Sequence, residues 1–406
     1  MTDAYLHGVE VVEQKTAGTP ISTQSTATIG LVGTAPFADP VLFPLDTPVL
    51  ITRAGQIAAL TKTLAANAAI NAEGTLPQAM AAIYDQARTP VVVIRVEADA
   101  TAADQQVLVV GEAAEKTGVY ALLAAKSVTG FKPKILIAPG FTHQQLQADT
   151  ANPVVMALRG VADKLRAVVV ADGPSDTDAA AVSKATLEAG ERVYPIEPAV
   201  GVLDRTGVIA QRPTSAFVAG AIAWSDQERG FWWSPSNVTL NGVVSIGRPI
   251  EFSRSDPTAS SNILNAAGVA VIVNDDGFRI HGNRTPPNDG EYEFLSQRRA
   301  MDAVFDAIEN AFRWAQDRPF SANLLDDIAG AVEAYQRELK AKGAQLGGRV
   351  WIDPELNTEA TFRQGRLYVN MDGETAAPLD RLTFLFQRET GYYAELVSGA
   401  GASQAA

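Results

Sequence analysis

The sequence predicts an α/β protein, α+β when the whole chain is counted, and three observations carry that class. Apolar runs of strand length, PVVVIRVE (90–97), KILIAPG (134–140), AVVVADGP (167–174) and RVYPIEP (192–198), alternate with helix-like segments. Two long amphipathic stripes follow after residue 300, and strand-like segments sit near both ends. Strand–helix–strand at this spacing implies right-handed βαβ units in a parallel sheet.

The elements follow in order. HGVEVVE (7–13) reads as a short strand with Val9 and Val11 on one face, and QKTAGTPISTQST has linker composition. Such a strand is either the edge of its own domain or an arm that adds to another chain's sheet. TATIGLVGTAP and PVLIT are strands, 54–72 is an Ala-rich helix, and DATAADQQ (99–106) is a surface loop. GEAAEKTGVYALLAAK (111–126) is a helix, Pro153 opens another through Leu165, and Asp178 to Ala189 is a third, with Gly190 as its C-cap. Trp224, Phe231, Trp232 and Trp233 read as an aromatic core under a loop rather than a ligand cage. AGVAVIV (267–273), the NDDG turn and FRIHGN form a hairpin. Met301, Val304, Phe305, Ile308 and Phe312 make one helical stripe, and Leu324, Ile328, Val332, Tyr335 and Leu339 make a second. Asp317-Arg318-Pro319 separates them, Gly343 ends the second, and the pair is expected to pack on a sheet. RVWID, RLYVNMD and LTFLFQRE are strand-like, with Leu382, Phe384 and Phe386 sharing a face.

At 406 residues the chain is expected to hold two or three domains. Lys plus Arg is 33 against 46 Asp plus Glu, a net charge of -13. That acidity argues against nucleic-acid binding and against docking on an anionic membrane. With no cysteine, disulfides, Cys-ligated zinc, iron–sulfur clusters and thiol nucleophiles drop out. The N-terminus has no signal-like segment and no apolar run approaches the ~18 residues of a span, so a soluble protein made in the cytoplasm is expected.

The search for chemistry is nearly empty. There is no P-loop, and GLVG (30–33) lacks the third glycine of a dinucleotide fingerprint. His7, His143 and His281 form no metal motif. His143 and Asp172 each follow a predicted parallel strand, where α/β enzymes keep their sites. A hydrolase-like site there is the alternative function, but no GxSxG elbow presents a nucleophile and His143 reads as a loop residue. Asp275–Asp276 fits a hairpin turn better than a calcium loop. No cofactor and no metal are expected.

Ten stretches, in order over about residues 5 to 397, resemble the tail sheath protein of contractile-tailed bacteriophages and the related R-type tailocin sheaths. They are HGVEV, STATIGLVGTAP, FPLDTPVLIT, GVYALLAAKSVTGFKPKILIAPG, KLRAVVVADGP, RGFWWSPSNVTLNGV, ILNAAGVAVIVNDDGFRIHGNRT, RRAMDAVFDAIENAFRWAQDRP, GRLYVNMD and LTFLFQRET. The resemblance implies a non-enzymatic subunit that stacks as hexameric rings in a helical lattice around a tail tube. It implies a metastable extended state that contracts without nucleotide to drive the tube through the target envelope. Implied partners are further copies of the chain, the tube protein, and baseplate and tail terminator proteins. The implied location is a virion tail or tailocin particle assembled in the host cytoplasm. Implied units are an N-terminal β-arm and linker (1–25), an N-terminal α/β domain (26–110) and a central subtilisin-like α/β domain (111–275). A sheath domain with the helix pair (276–380) and a C-terminal β-arm and tail (381–406) complete them. The arms, 6–13 and 381–397, are implied to add strands to neighbours' sheets. The residues expected to do so are Leu6, Val9, Val11 and Val12, and Leu382, Phe384, Phe386 and Tyr392.

Overall fold

The apolar runs become strands buried on both faces because helices cover the sheet from either side. The computed structural model describes residues 21–65, 72–204, 206–287 and 291–394. In chain order the strands are β1 (Ile29–Thr34), β2 (Val49–Ile51), β3 (Val91–Val96), β4 (Ile135–Ile137), β5 (Val168–Asp172), β6 (Val193–Glu197), β7 (Val200–Leu203), β8 (Ile209–Arg212), β9 (Val243–Ile246), β10 (Ala270–Asn274), β11 (Phe278–His281), β12 (Gln345–Trp351) and β13 (Asn370–Thr375). The main helices are α1 (Thr75–Gln86), α2 (Ala102–Val110), α3 (Ala125–Thr129), α4 (Pro153–Leu165), α5 (Asp178–Leu187), α6 (Ser215–Glu228), α7 (Ser260–Ala266), α8 (Leu295–Ala311) and α9 (Ala322–Ala341).

An eight-stranded sheet runs β11-β10-β6-β5-β4-β1-β3-β2. The six inner strands are parallel and the two edge strands antiparallel. Side chains alternate between two cores. Ile29, Leu31, Val91, Val93, Ile135, Ile137, Val168 and Val170 face the core shared with α1 and α6. Val32, Ile94, Leu136, Val169 and Ala171 face the core shared with α4. This period of two across parallel strands is why each run reads as unbroken apolar sequence. Because β1 pairs both β3 and β4, the sheet runs without a break across the expected boundary at 110/111.

Several local expectations are corrected. Residues 99–106 are not simply a loop: Thr101 caps α2 by accepting from the Asp104 amide, and buried Gln105 donates to the Glu97 carbonyl. Residues 111–126 are not one helix. Gly111 and Gly118 both take positive φ and their backbones nearly touch, so a tight turn stands there, followed by a 3-10 turn (Gly118–Ala124) and α3. The helix expected over 54–72 is a 3-10 segment (Ala54–Thr61), and 66–71 lie outside the described residues. Helix α5 ends at Leu187, and its cap residue is Glu188, buried against Lys184, not Gly190. The Trp cluster is divided rather than one core. Trp224 packs on the sheet core, Phe231 and Trp232 pack on the helix pair, and half-exposed Trp233 lies near the Arg229 guanidinium.

After β11 the chain forms the expected pair, α8 and α9, and then the antiparallel two-stranded sheet β12–β13. Val304, Val332, Tyr335 and Leu339 fill the core between them, with Val350 and Met371 packed against it. Phe305 leaves the stripe and is partly exposed.

Candidate functional site

Three structural features bear on function: an ionic rail, a sheet with open edges among the described residues, and a chain end exposed along its apolar side chains. The rail comes first. Lys132 and Lys134 precede β4, Arg166 precedes β5, and Arg192 precedes β6, so four cations crowd the amino ends of three adjacent strands. Helix α8 crosses that edge with Arg298, Asp302, Asp306 and Glu309 at helical spacing on one side. Asp302 takes Arg192 through both carboxylate oxygens and Arg298 at 2.7 Å. Asp306 pairs with Lys134, with Lys132 at 3.1 Å and with Arg166 at 2.9 Å. Arg299 clasps Asp226 of α6 at 2.5 and 2.9 Å, and Asp226 also accepts from the Thr26 hydroxyl just before β1. Asp302, Asp306 and Arg299 are buried. Burial pushes the Asp306 carboxyl up, but Lys134, Arg166 and Lys132 outweigh it and hold it below the ordinary carboxylate value.

The sign of the pH effect follows. A carboxyl lowered in the fold contributes stability above its unfolded value of about 3.9, and loses it as pH falls through the folded value. Asp306→Asn is expected to be less stable than the parent at neutral pH. It is also expected to lose less stability than the parent between pH 5 and pH 2.5, read by urea unfolding at both.

The sheet is the second feature. β12 and β13 pair only with each other among the described residues, which leaves an outer edge open on each strand. At one end of the ladder Gln345 faces Thr375. Gln345 Nε2 and Oε1, Thr375 Oγ1 and nearby Gln336 Oε1 are buried without hydrogen-bond partners among the described residues. Buried polar groups are rarely left unpaired.

The chain ends are the third. Segment 381–389, expected as a strand, forms no ladder among the described residues. Leu382 is 64% exposed, Phe384 85%, Leu385 95%, Phe386 92% and Tyr392 65%. Exposed apolar side chains on this scale need a partner, and the described residues offer none. Its root is held where Arg284 donates to Asp380 at 3.0 and 3.2 Å. Leu6, Val9, Val11 and Val12 lie outside the described residues. The linker expected to run free to about residue 25 is docked from Ile21 onward. Ile21 is buried in the helix-pair core, and the Thr23 hydroxyl lies 2.7 Å from the Tyr335 hydroxyl.

The hydrolase-like alternative meets an Asp172 already engaged. Asp172 accepts from the Ser215 amide at 2.7 Å, the Ser215 hydroxyl at 2.5 Å and the Thr142 hydroxyl at 3.1 Å. It thereby fixes the start of α6. Ser215 therefore donates to the carboxylate, and among the described residues no hydrogen bond joins His143 to either. A groove of about 620 Å³ lies between α1 and the small β8-β7-β9 sheet, lined by Gln78, Asp85, Leu203 and Val244, and neither His143 nor Asp172 lines it. No helix among the described residues is long and apolar enough to cross a membrane.

Comparison with known proteins bears on the whole chain. The family model of the phage tail sheath protein central domain matches residues 114–286, and that of the phage tail sheath C-terminal domain matches 288–388. The join between them falls between β11 and α8, so the rail bridges the two matched domains. The chain is 36% identical over 386 residues to a putative prophage major tail sheath protein of Pseudomonas aeruginosa (strain UCBPP-PA14), covering 94% of this chain and 96% of the relative. It is 34% identical over 412 residues to the tail sheath protein of Escherichia phage P2, covering 98% and 99%. Its fold is similar to a cryo-EM structure of the anti-feeding prophage helical sheath in its contracted state, at a TM-score of 0.70 and 21% identity over 95% of this chain and 100% of that one. With both domain models matched in order and full-length relatives above 30% identity, the chain belongs to the phage tail sheath protein family.

Proposed function

We propose that the protein is a structural, non-enzymatic subunit of a contractile tail sheath, joined to its neighbours by exchanged strands. The observation that carries this reading is the pairing of an open-edged sheet with an apolar chain end that has no partner among the described residues. Each β12–β13 sheet offers two edges, and each chain brings two arms, 6–13 and 381–397. An added strand of about seven residues gains several backbone hydrogen bonds at about 0.5–1.5 kcal/mol each. Exposed Phe384 and Phe386 would contribute burial of about 1.5–3 kcal/mol each. The resemblance adds the larger frame: rings of six around a tube, an extended metastable state, contraction without nucleotide, and baseplate and terminator proteins at the ends. Contraction then repacks rigid bodies between two arrangements while the arms keep the lattice linked. The contracted arrangement is expected to bury more area between subunits. The full-length relatives, one from a phage and one from a prophage, support the virion or tailocin particle as its location.

Electron microscopy of the purified chain tests this. Full-length protein is expected to form tubes, and the chain beginning at Ile21 to remain as soluble subunits. Normal tubes from the shortened chain would remove the arm from the reading.

A further inference from the structure

The stretch leading from β13 to the exposed C-terminal segment is held at two points. At the near end Gln297 of α8 donates to the Thr375 carbonyl at 3.1 Å, and the Ala376 amide donates to the Ala344 carbonyl at 3.4 Å. At the far end Arg284 donates to Asp380 at 3.0 and 3.2 Å. Between them Pro378 fixes its own φ and keeps Ala377 extended, so little backbone freedom is left for the far contact to remove. Beyond Asp380, residues 381–389 are exposed and form neither helix nor strand. Arg284 is itself positioned. Its backbone bridges Phe294 just before α8, and the Thr285 amide donates to the Glu293 carbonyl at 2.9 Å. Its guanidinium lies 4.8 Å over the Phe294 ring and donates to the Glu293 carboxylate at 2.6 Å. The arginine thus takes its place from the start of α8, the helix that the rail fixes to the strand ends.

We propose that Arg284 sets the direction in which the C-terminal segment leaves the subunit, by clamping Asp380 against the start of α8, so that 381–389 is presented to a neighbour along one line. The proposal rests on the strand-exchange reading above and concerns how the strand is aimed before it is captured. Magnitude decides what the contact can do. The Arg284 and Asp380 side chains are 39% and 40% exposed. A pair in that setting shifts an equilibrium by no more than about fivefold. That is too little to carry a load through the arm, and enough to select among the few directions that Ala377 and Pro378 leave open. Aiming matters because a strand captured from one preset direction loses less conformational entropy than one captured from many. The clamp also spans the two matched domains, since Arg284 lies in 114–286 and Asp380 in 288–388. The exit is therefore referred to the large sheet as well as to the two-stranded sheet that the segment follows.

The chain has no cysteine, so spin labels on Thr383→Cys in the segment and Met156→Cys on α4 report that direction without background. In full-length subunits kept below the concentration at which tubes form, the unsubstituted pair Arg284 and Asp380 is expected to give one narrow distance distribution. Arg284→Ala and Asp380→Ala are each expected to widen it about twofold, and 1 M salt to widen the parent's likewise, because exposed charges are screened there. In unlabelled protein, Asp380→Arg is expected to raise the subunit concentration needed for tubes about fivefold. The exchanged pair Arg284→Asp/Asp380→Arg is expected to restore that concentration to within about twofold of the parent. Equal widths in the parent and both alanine variants would overturn the proposal, as would wider distributions with an unchanged tube threshold in Asp380→Arg. The failures separate. Equal widths end the aiming role alone, whereas tubes at the parent's threshold from Phe384→Asp/Phe386→Asp end strand exchange by this segment and the aiming role with it.

Discussion

Asp302→Ala is expected to cost about 3–5 kcal/mol of folding stability, a large part of the roughly 5–15 kcal/mol that holds a typical domain. The cost comes less from the lost attraction than from what remains. Arg192, gripped by both Asp302 oxygens, and Arg298 beside it would stay buried with their main counter-charge gone. Glu191 and Asp163 at their margins reach only one nitrogen each, at 3.2 and 3.1 Å. Urea unfolding reads the effect as a lowered midpoint with little change in slope. The triple replacement Arg192→Met, Arg298→Met, Asp302→Leu is expected to recover most of the loss, because apolar groups of similar volume often replace a buried ionic cluster without penalty. A single-variant cost under about 1 kcal/mol would show that the rail does not hold α8 to the sheet. The charges thus act on geometry. Arg298, Asp302 and Asp306 fit only when α8 lies in one register against the strand ends, which makes the sheet and the helix pair one lever. A subunit of a shortening cylinder needs that rigidity if motion is to occur between copies and not within them.

Much of this architecture could be read in the residues. The inner strands announced themselves because two-sided burial writes unbroken apolar runs, and Pro153 marked the first turn of α4 as it stands. The two stripes gave α8 and α9 for the same reason of periodicity. Strand order was not legible: nothing local in IGLVGT tells that β1 lies between β3 and β4. Helix α2 was missed because DATAADQQ is small and polar on its outer face, while its signals were one capping Thr101 and the apolar Val107 to Val110 that followed. The rail was missed for another reason. Its anions lie on one helix, but its cations come from three separate places, the residues just before β4, β5 and β6. A basic residue within two positions before each of three consecutive parallel strands is the signal that could have found it. Ile21 was hidden in linker composition, since one apolar residue between Pro20 and Ser22 carries no period.

Replacing Phe384 and Phe386 together by Asp is expected to leave the subunit's folding unchanged and to abolish tube formation. The two halves of that expectation have separate grounds. In the subunit both rings are almost wholly exposed, and substitutions at such positions usually move stability by no more than about 0.5 kcal/mol. In the lattice each ring would lie against a neighbour, and losing two burials of about 1.5–3 kcal/mol weakens each junction by roughly a hundred- to ten-thousand-fold. Two carboxylates carried into an apolar site add a desolvation cost in the same direction. Thermal unfolding of the variant and electron microscopy across a range of subunit concentrations measure the two halves independently. A variant that melts like the parent and still builds tubes at the parent's concentration would show that this segment does not join subunits. One that melts early would place the rings in the subunit's own core, against their exposure.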